Sequence, residues 1–594
     1  MRQFFKFVLA SMVGFIISGA ILLVIFILLV AGLIAAGSDK TVEVEPNSVL
    51  QISLNHPIPE RTPNNPLAGL SFLGIEGEKI VGLNDILADI KKAKNDPDIK
   101  GIFLDESYVT AGEATIEEIR NALIDFKTSG KFIVAYSEIY TQAFYYLASV
   151  ADKVYVNPKG IFLFHGFNSE VTFLKGTLDK LGIEAQIIKV GTYKSAVEPF
   201  FLTKMSPANR LQVTSYLGSL YDHFLTGISA SRHIGKDSLF NYANELKIRF
   251  PEDALKYRLV DGLKYKDQVL TELKEDEGID SKNDLKSVTL ADYTSNTPKK
   301  EGDDKKKAPA NTIAVVYASG EINGGDGDEN SIGSEKISKA LRQVRLDDKV
   351  KAVVFRVNSP GGSSLASDVI WREVMLTKKV KPIIVSMGDY AASGGYYISC
   401  AADSIIAQPN TITGSIGIFA ILPNMQKFFN NKLGITFDGV KTGKYADLGN
   451  ISRPLTPEER AILQDQVNHG YDDFTKAVAS GRHKTQAYIN SIGQGRVWTG
   501  TQALGLGLVD RLGNINDAIK SAAKKAGVKN YKLISYPEQK SLLSNLGFGM
   551  NAQMKDYFMK SELGDNFKYY QQLKEVTQMM RTPQARLPYS IVIN

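Results

Sequence analysis

Charge disappears from one stretch of the chain. From Phe7 to Ser38 no residue is charged, and Phe15 to Ile34 is rich in Ile, Leu and Val. As a helix this run is long enough to cross a hydrocarbon core of about 30 Å. It predicts a membrane anchor over residues 1–38. The alternative is a cleavable signal peptide, whose apolar region is usually only about 7–15 residues. Arg2 and Lys6 precede the run, and Asp39 and Lys40 follow it. The positive-inside rule therefore puts the N-terminus in the cytoplasm and the rest of the chain outside it.

Beyond the anchor, short β-rich apolar runs alternate with helix-length mixed segments. Thr312–Tyr317, Ala352–Val357 and Ile383–Ser386 read as strands, and Ser363–Leu376 reads as a helix between two of them. Near-continuous apolar strands separated by helices predict βαβ units, a covered parallel sheet and an α/β fold.

The same pattern occurs twice. Lys131-Phe-Ile-Val-Ala-Tyr-Ser137 parallels Lys381-Pro-Ile-Ile-Val-Ser-Met387. Tyr145-Tyr146, Ala151-Asp152 and Pro158 parallel Tyr396-Tyr397, Ala402-Asp403 and Pro409 at one constant offset. One inserted residue later, Lys180-Leu-Gly-Ile183 parallels Lys432-Leu-Gly-Ile435, and Lys189, Gly191 and Tyr193 parallel Lys441, Gly443 and Tyr445. Val260-Asp261 and Val509-Asp510 close the two copies. The expected organisation is an anchor (1–38), a first repeat (39–293), a polar linker (294–311), a second repeat (312–543) and a tail (544–594) without an assigned role. The linker, Thr294 to Asn311, has no apolar period and cannot bury a core.

Composition changes this picture little. With 44% hydrophobic and 23% charged residues the chain is a folded globular protein. A net charge of +6 spread over 594 residues leaves no footprint for nucleic acid. One cysteine, Cys400, excludes an intrachain disulfide and a multi-thiolate metal site; it reads as a buried residue.

Two glycine-rich motifs follow successive strands of the second copy. The first, Asn358-Ser-Pro-Gly-Gly-Ser-Ser364, leads into a helix, and paired glycines there let backbone N–H groups approach a developing oxyanion. An ordinary loop has the same look, and so does a phosphate site, although the Walker Lys-Ser/Thr ending is absent. The second, Ala391-Ala-Ser393-Gly-Gly395, could present a serine hydroxyl without steric cover or could simply start a tightly packed helix. Both would meet at the carboxyl ends of one sheet. None of the six histidines stands in either motif; His165, in Phe-Leu-Phe-His-Gly-Phe, reads as a core residue. A desolvated lysine is the other base a serine can use. The candidate is Lys194 in Val190-Gly-Thr-Tyr-Lys-Ser-Ala-Val-Glu-Pro199, where the rival reading is a solvated surface lysine. The repeat connects the two groups. Lys194 corresponds to Ala446 and Ser393 to Gln142, so each copy keeps one of them; Gly361-Gly362 corresponds to Thr110-Ala111. Were the copies packed with Lys194 facing Ser393, one site would be shared between them.

The lysine segment, the two glycine-rich motifs and Thr413-Gly-Ser-Ile-Gly417 together resemble the signature segments of the signal peptide peptidase A (protease IV) family in its long, duplicated form. The resemblance covers nearly the whole chain. It implies a crotonase-like, Clp-protease-related fold and a homo-oligomer, typically a tetramer, at the inner membrane with the catalytic part outside the cytoplasm; no motif in the chain requires a metal, nucleotide or flavin cofactor. It also implies degradation of remnant signal peptides and other hydrophobic peptides. Ser393 would then attack, Lys194 would serve as general base and acid, amides of Gly361 or Gly362 with Gly394 would bind the oxyanion, and Ser415 would support the lysine. Two rivals differ in class. An acyl-CoA hydratase or isomerase of the crotonase fold would need no Ser-Lys pair, and a catalytically silent membrane scaffold would have no reason to keep both members in opposite copies.

Overall fold

Strands apolar on both faces must be covered on both faces, and the chain does this twice. In a computed structural model, which describes residues 2–37, 44–63, 80–277, 284–295, 311–328, 331–539 and 583–587, Phe132–Tyr140 and Ile383–Ala392 are central strands of two separate sheets. Most of the expected linker (296–310), the last residues of the expected second repeat (540–543) and most of the tail (544–582 and 588–594) lie outside the described residues.

The first sheet is wholly parallel. Its order is Gly262–Leu263, Lys153–Phe162, Phe132–Tyr140, Ile99–Asp105, Ser48–Ile52 and Ser287–Thr289. The second repeats this order with Arg511–Leu512, Ser404–Ala407, Ile383–Ala392, Val350–Ser359, Thr312–Ser319 and Lys532–Tyr536, and adds Ile412–Gly414 and Val497–Thr499 to make eight strands. Helices recur in step: Glu113–Lys127 has its counterpart in Ser364–Lys378, and Pro207–Arg232 in Pro457–Gly481. The two long helices start alike, with Ser206 and Thr456 accepting from the N–H of Asn209 and Glu459 and a proline in the first turn.

A third, mixed sheet joins the copies. Its order is Ser331–Gly333, Glu321–Asn323, Gly361–Ser363, Gln584–Arg586, Phe419–Asn424 and Glu184–Lys189. The last two strands pair antiparallel, from Lys189 opposite Phe419 to Glu184 opposite Asn424, so an arm of the first copy is bonded along its length to the second. At the N-terminus Arg2–Gly37 forms one helix, and within it Lys6–Ile25, of mean hydropathy 2.7 and unburied, is long and apolar enough to cross a membrane.

One strand differs from expectation. Ile383 begins a strand that ends at Ala392 rather than Ser386, carrying it up to Ser393. Its register against the neighbouring strand shifts between Val357 and Ser359, which lie opposite Met387 and Ala391. Asn358 bridges the irregularity, its Oδ1 accepting from Tyr390 N–H at 3.1 Å. The sequence around Gly388 looks like a turn because the extra residues form this bulge.

Behind the bulge the copies meet on buried charge. Arg356, with no exposed surface, donates through Nε to Glu60 at 2.8 Å and through Nη1 to Glu118 at 2.7 Å. Glu60 also accepts from Asn358 Nδ2 at 2.9 Å. Asp389 accepts from the backbone N–H and hydroxyl of Thr115, at 2.8 and 2.7 Å. Removing one partner of such a pair strands the other in a dry interior. Glu118→Ala is expected to destabilise the full chain by about 3–5 kcal/mol, read as a fall in the midpoint of urea denaturation in detergent, whereas an exposed pair such as Lys236–Asp222 should contribute under about 1 kcal/mol.

Candidate active site

The Ile383–Ala392 strand and the Gly394–Ser399 helix leave no room for a gradual turn, and Ser393 sits between them at φ 55°, ψ −114°. A non-glycine residue with positive φ is strained and persists only where its surroundings hold it. Here its N–H donates to Gly414 O at 2.8 Å, and its carbonyl accepts from Tyr397 N–H at 2.8 Å. The turn aims the hydroxyl at the arm from the first copy.

Lys194 lies on that arm, just after the Glu184–Lys189 strand. Val190 N–H donates to Ile418 O at 3.1 Å and Tyr193 N–H to Gln494 O at 2.8 Å, extending the attachment to the second copy up to the lysine itself. Lys194 Nζ donates to Ser393 Oγ at 2.8 Å, and lies 3.1 Å from Ser415 Oγ and 3.2 Å from Ser415 O. Lys194, Ser393 and Ser415 have no exposed surface. Burial disfavours the ammonium form and holds the lysine pKa well below its ordinary value. The Phe419 ring, 5.8 Å from Nζ, lines the same pocket. Backbone crowds the stem: a Cβ on Gly495 would come within 2.6 Å of Lys194 Cα, and one on Gly417 within 3.2 Å of its Cδ. These glycines permit the close approach.

The Gly-Gly loop closes the other side. Gly361 has φ 99°, and a side chain there would meet the Gly394 backbone nitrogen at 2.8 Å. Gly361 and Gly394 therefore share one small space beside Ser393, while a side chain on Gly362 would meet Ile322 and the Gly361 N–H already donates to Ser359 Oγ at 3.1 Å. A hydroxyl, an amine whose pKa burial lowers and a nearby backbone amide are the kinds of group that acyl transfer uses.

The structure brings Ser393, Lys194, Ser415, Gly361, Gly362 and Gly394 together. His165 is not in the core: it is half-buried, with Nδ1 3.2 Å from Gln142 Nε2, beside the position that corresponds to Ser393 in the first copy. Its short apolar surroundings face solvent on alternate residues, which a core reading of the run overlooks. Sequence reasoning also misses Gln212. This buried side chain donates to Tyr193 O at 3.0 Å and Ser195 Oγ at 2.9 Å and accepts from Val497 N–H at 3.2 Å, gripping the lysine segment from both sides. No motif marks it. Arg356, by contrast, has a signal, a guanidinium inside Val353-Val-Phe-Arg-Val357.

Comparison with known proteins gives the class, a serine peptidase. The chain belongs to Peptidase family S49, which matches residues 125–280 and 375–529; Lys194 falls in the first segment and Ser393 in the second. It is 37% identical to Protease 4 of Salmonella typhi over 499 residues, 82% of this chain and 79% of that protein. It is 36% identical to Protease 4 of Haemophilus influenzae over 516 residues, 84% of this chain and 82% of that one. The chloroplastic serine protease SPPA of Arabidopsis thaliana is 33% identical over 500 residues, 83% of this chain and 72% of its own. A solved ClpP1 from Listeria monocytogenes aligns with 34% of this chain and 92% of its own at 19% identity and a TM-score of 0.22.

The depressed lysine pKa has a consequence for stability. Between the lowered value and the ordinary one, about 10.4, the unfolded chain binds a proton that the folded chain does not. Stability therefore rises with pH through that window, and below it the full cost of burying the ammonium remains. Lys194→Met removes this cost. It is expected to raise the melting temperature at pH 7, with the gain shrinking as the buffer approaches pH about 10.

Proposed function

We propose that this S49 serine peptidase is anchored in a membrane by its N-terminal helix and uses Ser393 and Lys194 to cleave apolar peptides, remnant signal peptides among them, on the extracytoplasmic face of the inner membrane. The observation that carries the reading is the 2.8 Å hydrogen bond from Lys194 Nζ to Ser393 Oγ in a pocket closed to solvent. In this mechanism neutral Lys194 takes the hydroxyl proton as Ser393 Oγ attacks the scissile carbonyl. Amides around Gly361, Gly362 and Gly394 hold the oxyanion. The protonated lysine then donates to the leaving amine, and water hydrolyses the ester with Lys194 again as base. Ser415 orients the amine. The helix Arg2–Gly37, uncharged after Lys6 and carrying Arg2 and Lys6 at its start, supports a cytoplasmic N-terminus and a site next to the bilayer, where apolar peptides concentrate.

The repeat also supports a homo-oligomer, with four subunits by resemblance. The arm of the first copy is covered by the Phe419–Asn424 strand of the second. Its counterpart in the second copy has no such cover among the described residues and exposes Leu433, Ile435, Phe437 and Val440, the last fully. The segment corresponding to Phe419–Asn424 in the first copy, residues 167–172, forms no strand and is exposed at 168, 170 and 172. The second arm of one molecule fits this edge of the next, a head-to-tail contact that closes into a ring.

Three outcomes test these readings. Ser393→Ala and Lys194→Ala are each expected to lower kcat on a fluorogenic apolar peptide by on the order of 10⁴-fold or more, while Lys444→Ala, at an exposed surface pair with Glu458, leaves it unchanged; full activity in either of the first two removes the assignment. The rate should rise toward alkaline pH along a single limb set by the lysine, and a maximum below pH about 6 would contradict a lysine base. Val440→Asp with Phe437→Glu should reduce the mass seen by light scattering of the detergent-solubilised protein to that of one chain.

A further inference from the structure

The lysine and the serine are held by different copies, and one buried side chain ties their supports together. Gln212, 1% exposed, stands near the start of the Pro207–Arg232 helix. Its Nε2 donates to Tyr193 O at 3.0 Å and to Ser195 Oγ at 2.9 Å, on either side of Lys194. Its Oε1 accepts from Val497 N–H at 3.2 Å. Val497 lies opposite Gly414 in the antiparallel pair of Val497–Thr499 with Ile412–Gly414. Gly414 O in turn accepts from Ser393 N–H at 2.8 Å, and Arg496 O from Ser415 N–H at 2.7 Å. These links run from Lys194 through Tyr193, Gln212, Val497 and Gly414 to Ser393, and the 2.8 Å contact of Nζ with Oγ closes the frame.

The amide of Gln212 has one workable orientation. Only its oxygen can accept from Val497 N–H and only its nitrogen can donate to Tyr193 O, so a flip loses both bonds. The nitrogen also donates to Asn209 Oδ1 at 3.0 Å. Asn209, without exposed surface, is oriented in the same way, because its Nδ2 donates to Glu198 Oε2 at 3.0 Å. Glu198 is buried and accepts from the N–H and the hydroxyl of Ser206 as well, so the carboxylate serves as acceptor throughout. A buried polar network with its members paired is held firmly. None of the hydrogen bonds of Gln212 goes to Lys194 Nζ, Ser393 or Ser415.

We infer that Gln212 is a positioning residue of this site: it holds both flanks of Lys194 to the strand that supports Ser393 and Ser415, and Glu198 orients it through Asn209. The inference rests on the peptidase reading of Ser393 and Lys194. Passing the hydroxyl proton to the amine needs Nζ and Oγ within hydrogen-bond reach, and a misplacement of about 1 Å can cost about 10²-fold in rate. Without Gln212 the arm keeps its bonds from Val190 and Tyr193 N–H to Ile418 and Gln494. It therefore stays docked while the lysine shifts and regains water. The charged groups packed on the segment are Lys189 and Glu198 of the arm and Arg496, whose guanidinium lies 5.0 Å from the Tyr193 ring. A neutral replacement of Gln212 changes none of them, so a displaced pH profile reports the hydration of the amine.

Steady-state turnover of a fluorogenic apolar peptide by the detergent-solubilised full chain tests this, with rates normalised to the folded fraction from circular dichroism. Gln212→Met keeps the length of the side chain without its donors and acceptor. It is expected to lower kcat about 10²-fold, to leave KM within about twofold, and to move the alkaline limb of the rate to higher pH. Glu198→Gln should act in the same sense to a smaller extent. The control is Gln502→Met. Gln502 joins the same helix to the same strand away from the lysine, donating to Ser215 O and Oγ at 3.3 and 3.1 Å and accepting from Thr499 N–H at 3.1 Å. Its loss should lower the melting temperature and leave kcat and the limb at wild-type values. If Gln212→Met behaves like this control, or raises KM at unchanged kcat, the inference is overturned and the active-site reading stands. Should Gln212→Met fail to fold, Glu198→Gln decides: a lower kcat with a displaced limb upholds the inference, and wild-type values overturn it. Full activity of Ser393→Ala or Lys194→Ala overturns the active-site reading and this inference with it.

Discussion

A guanidinium buried without any exposed surface tolerates little movement around it. Arg356 stands in the middle of an apolar strand of the second copy, and both carboxylates that compensate it, Glu60 and Glu118, come from the first. Separating the copies would leave a charge on each side in a dry interface. Asn358 and Asp389 carry the same contact forward, bonding to Glu60 and Thr115, and these residues sit at the bases of the two motifs that end in Gly361-Gly362 and Ser393. The ionic joint therefore fixes the first copy against the strands that aim the site. Everything that needs two copies in register depends on it.

The lysine is the group with most to gain from that register. An amine on an open surface would be protonated at neutral pH and useless as a base. The pKa of Lys194 is lowered because the second copy closes over it: the Phe419–Asn424 strand pairs with its arm, Gln494 and Ile418 bond to its flanking backbone, and Gly417 and Gly495 let the backbone come close. Gln212 adds a clamp from the first copy. Desolvation here is a property of the interface between repeats, just as the strained φ of Ser393 is a property of the abrupt strand-to-helix turn.

Duplication gives an economical route to this arrangement. Two identical copies would carry each group twice, yet here one serine and one lysine, from opposite copies, meet at a single place. Gln142 and Ala446 stand where the second serine and lysine would be, and the first copy's strand end has become a structural contact, with Gln142 against His165. The groove that results is open to an added strand between Gly361–Ser363 and Phe419–Asn424. Gln584–Arg586 fills it, paired antiparallel with both edges.

Much of this was legible in the residues. Alternating apolar runs and helix-length segments specify the α/β class, since period and composition are local properties, and internal similarity exposes the two copies. The residues that now meet, Ser393, Lys194, Gly361 and Gly394, stand in glycine-rich or distinctive segments that can be picked out singly. The sequence could not decide that Lys194 loses its water, because desolvation is the sum of what many distant residues place around one amine. Nor could it reveal Gln212, an ordinary helical glutamine, or assign the Gln584–Arg586 strand, which lies in a patternless tail and acquires order only from the edges it pairs with. Local chemistry determined which groups were present; tertiary packing alone decided which of them meet, how dry their meeting place is, and what lies across it.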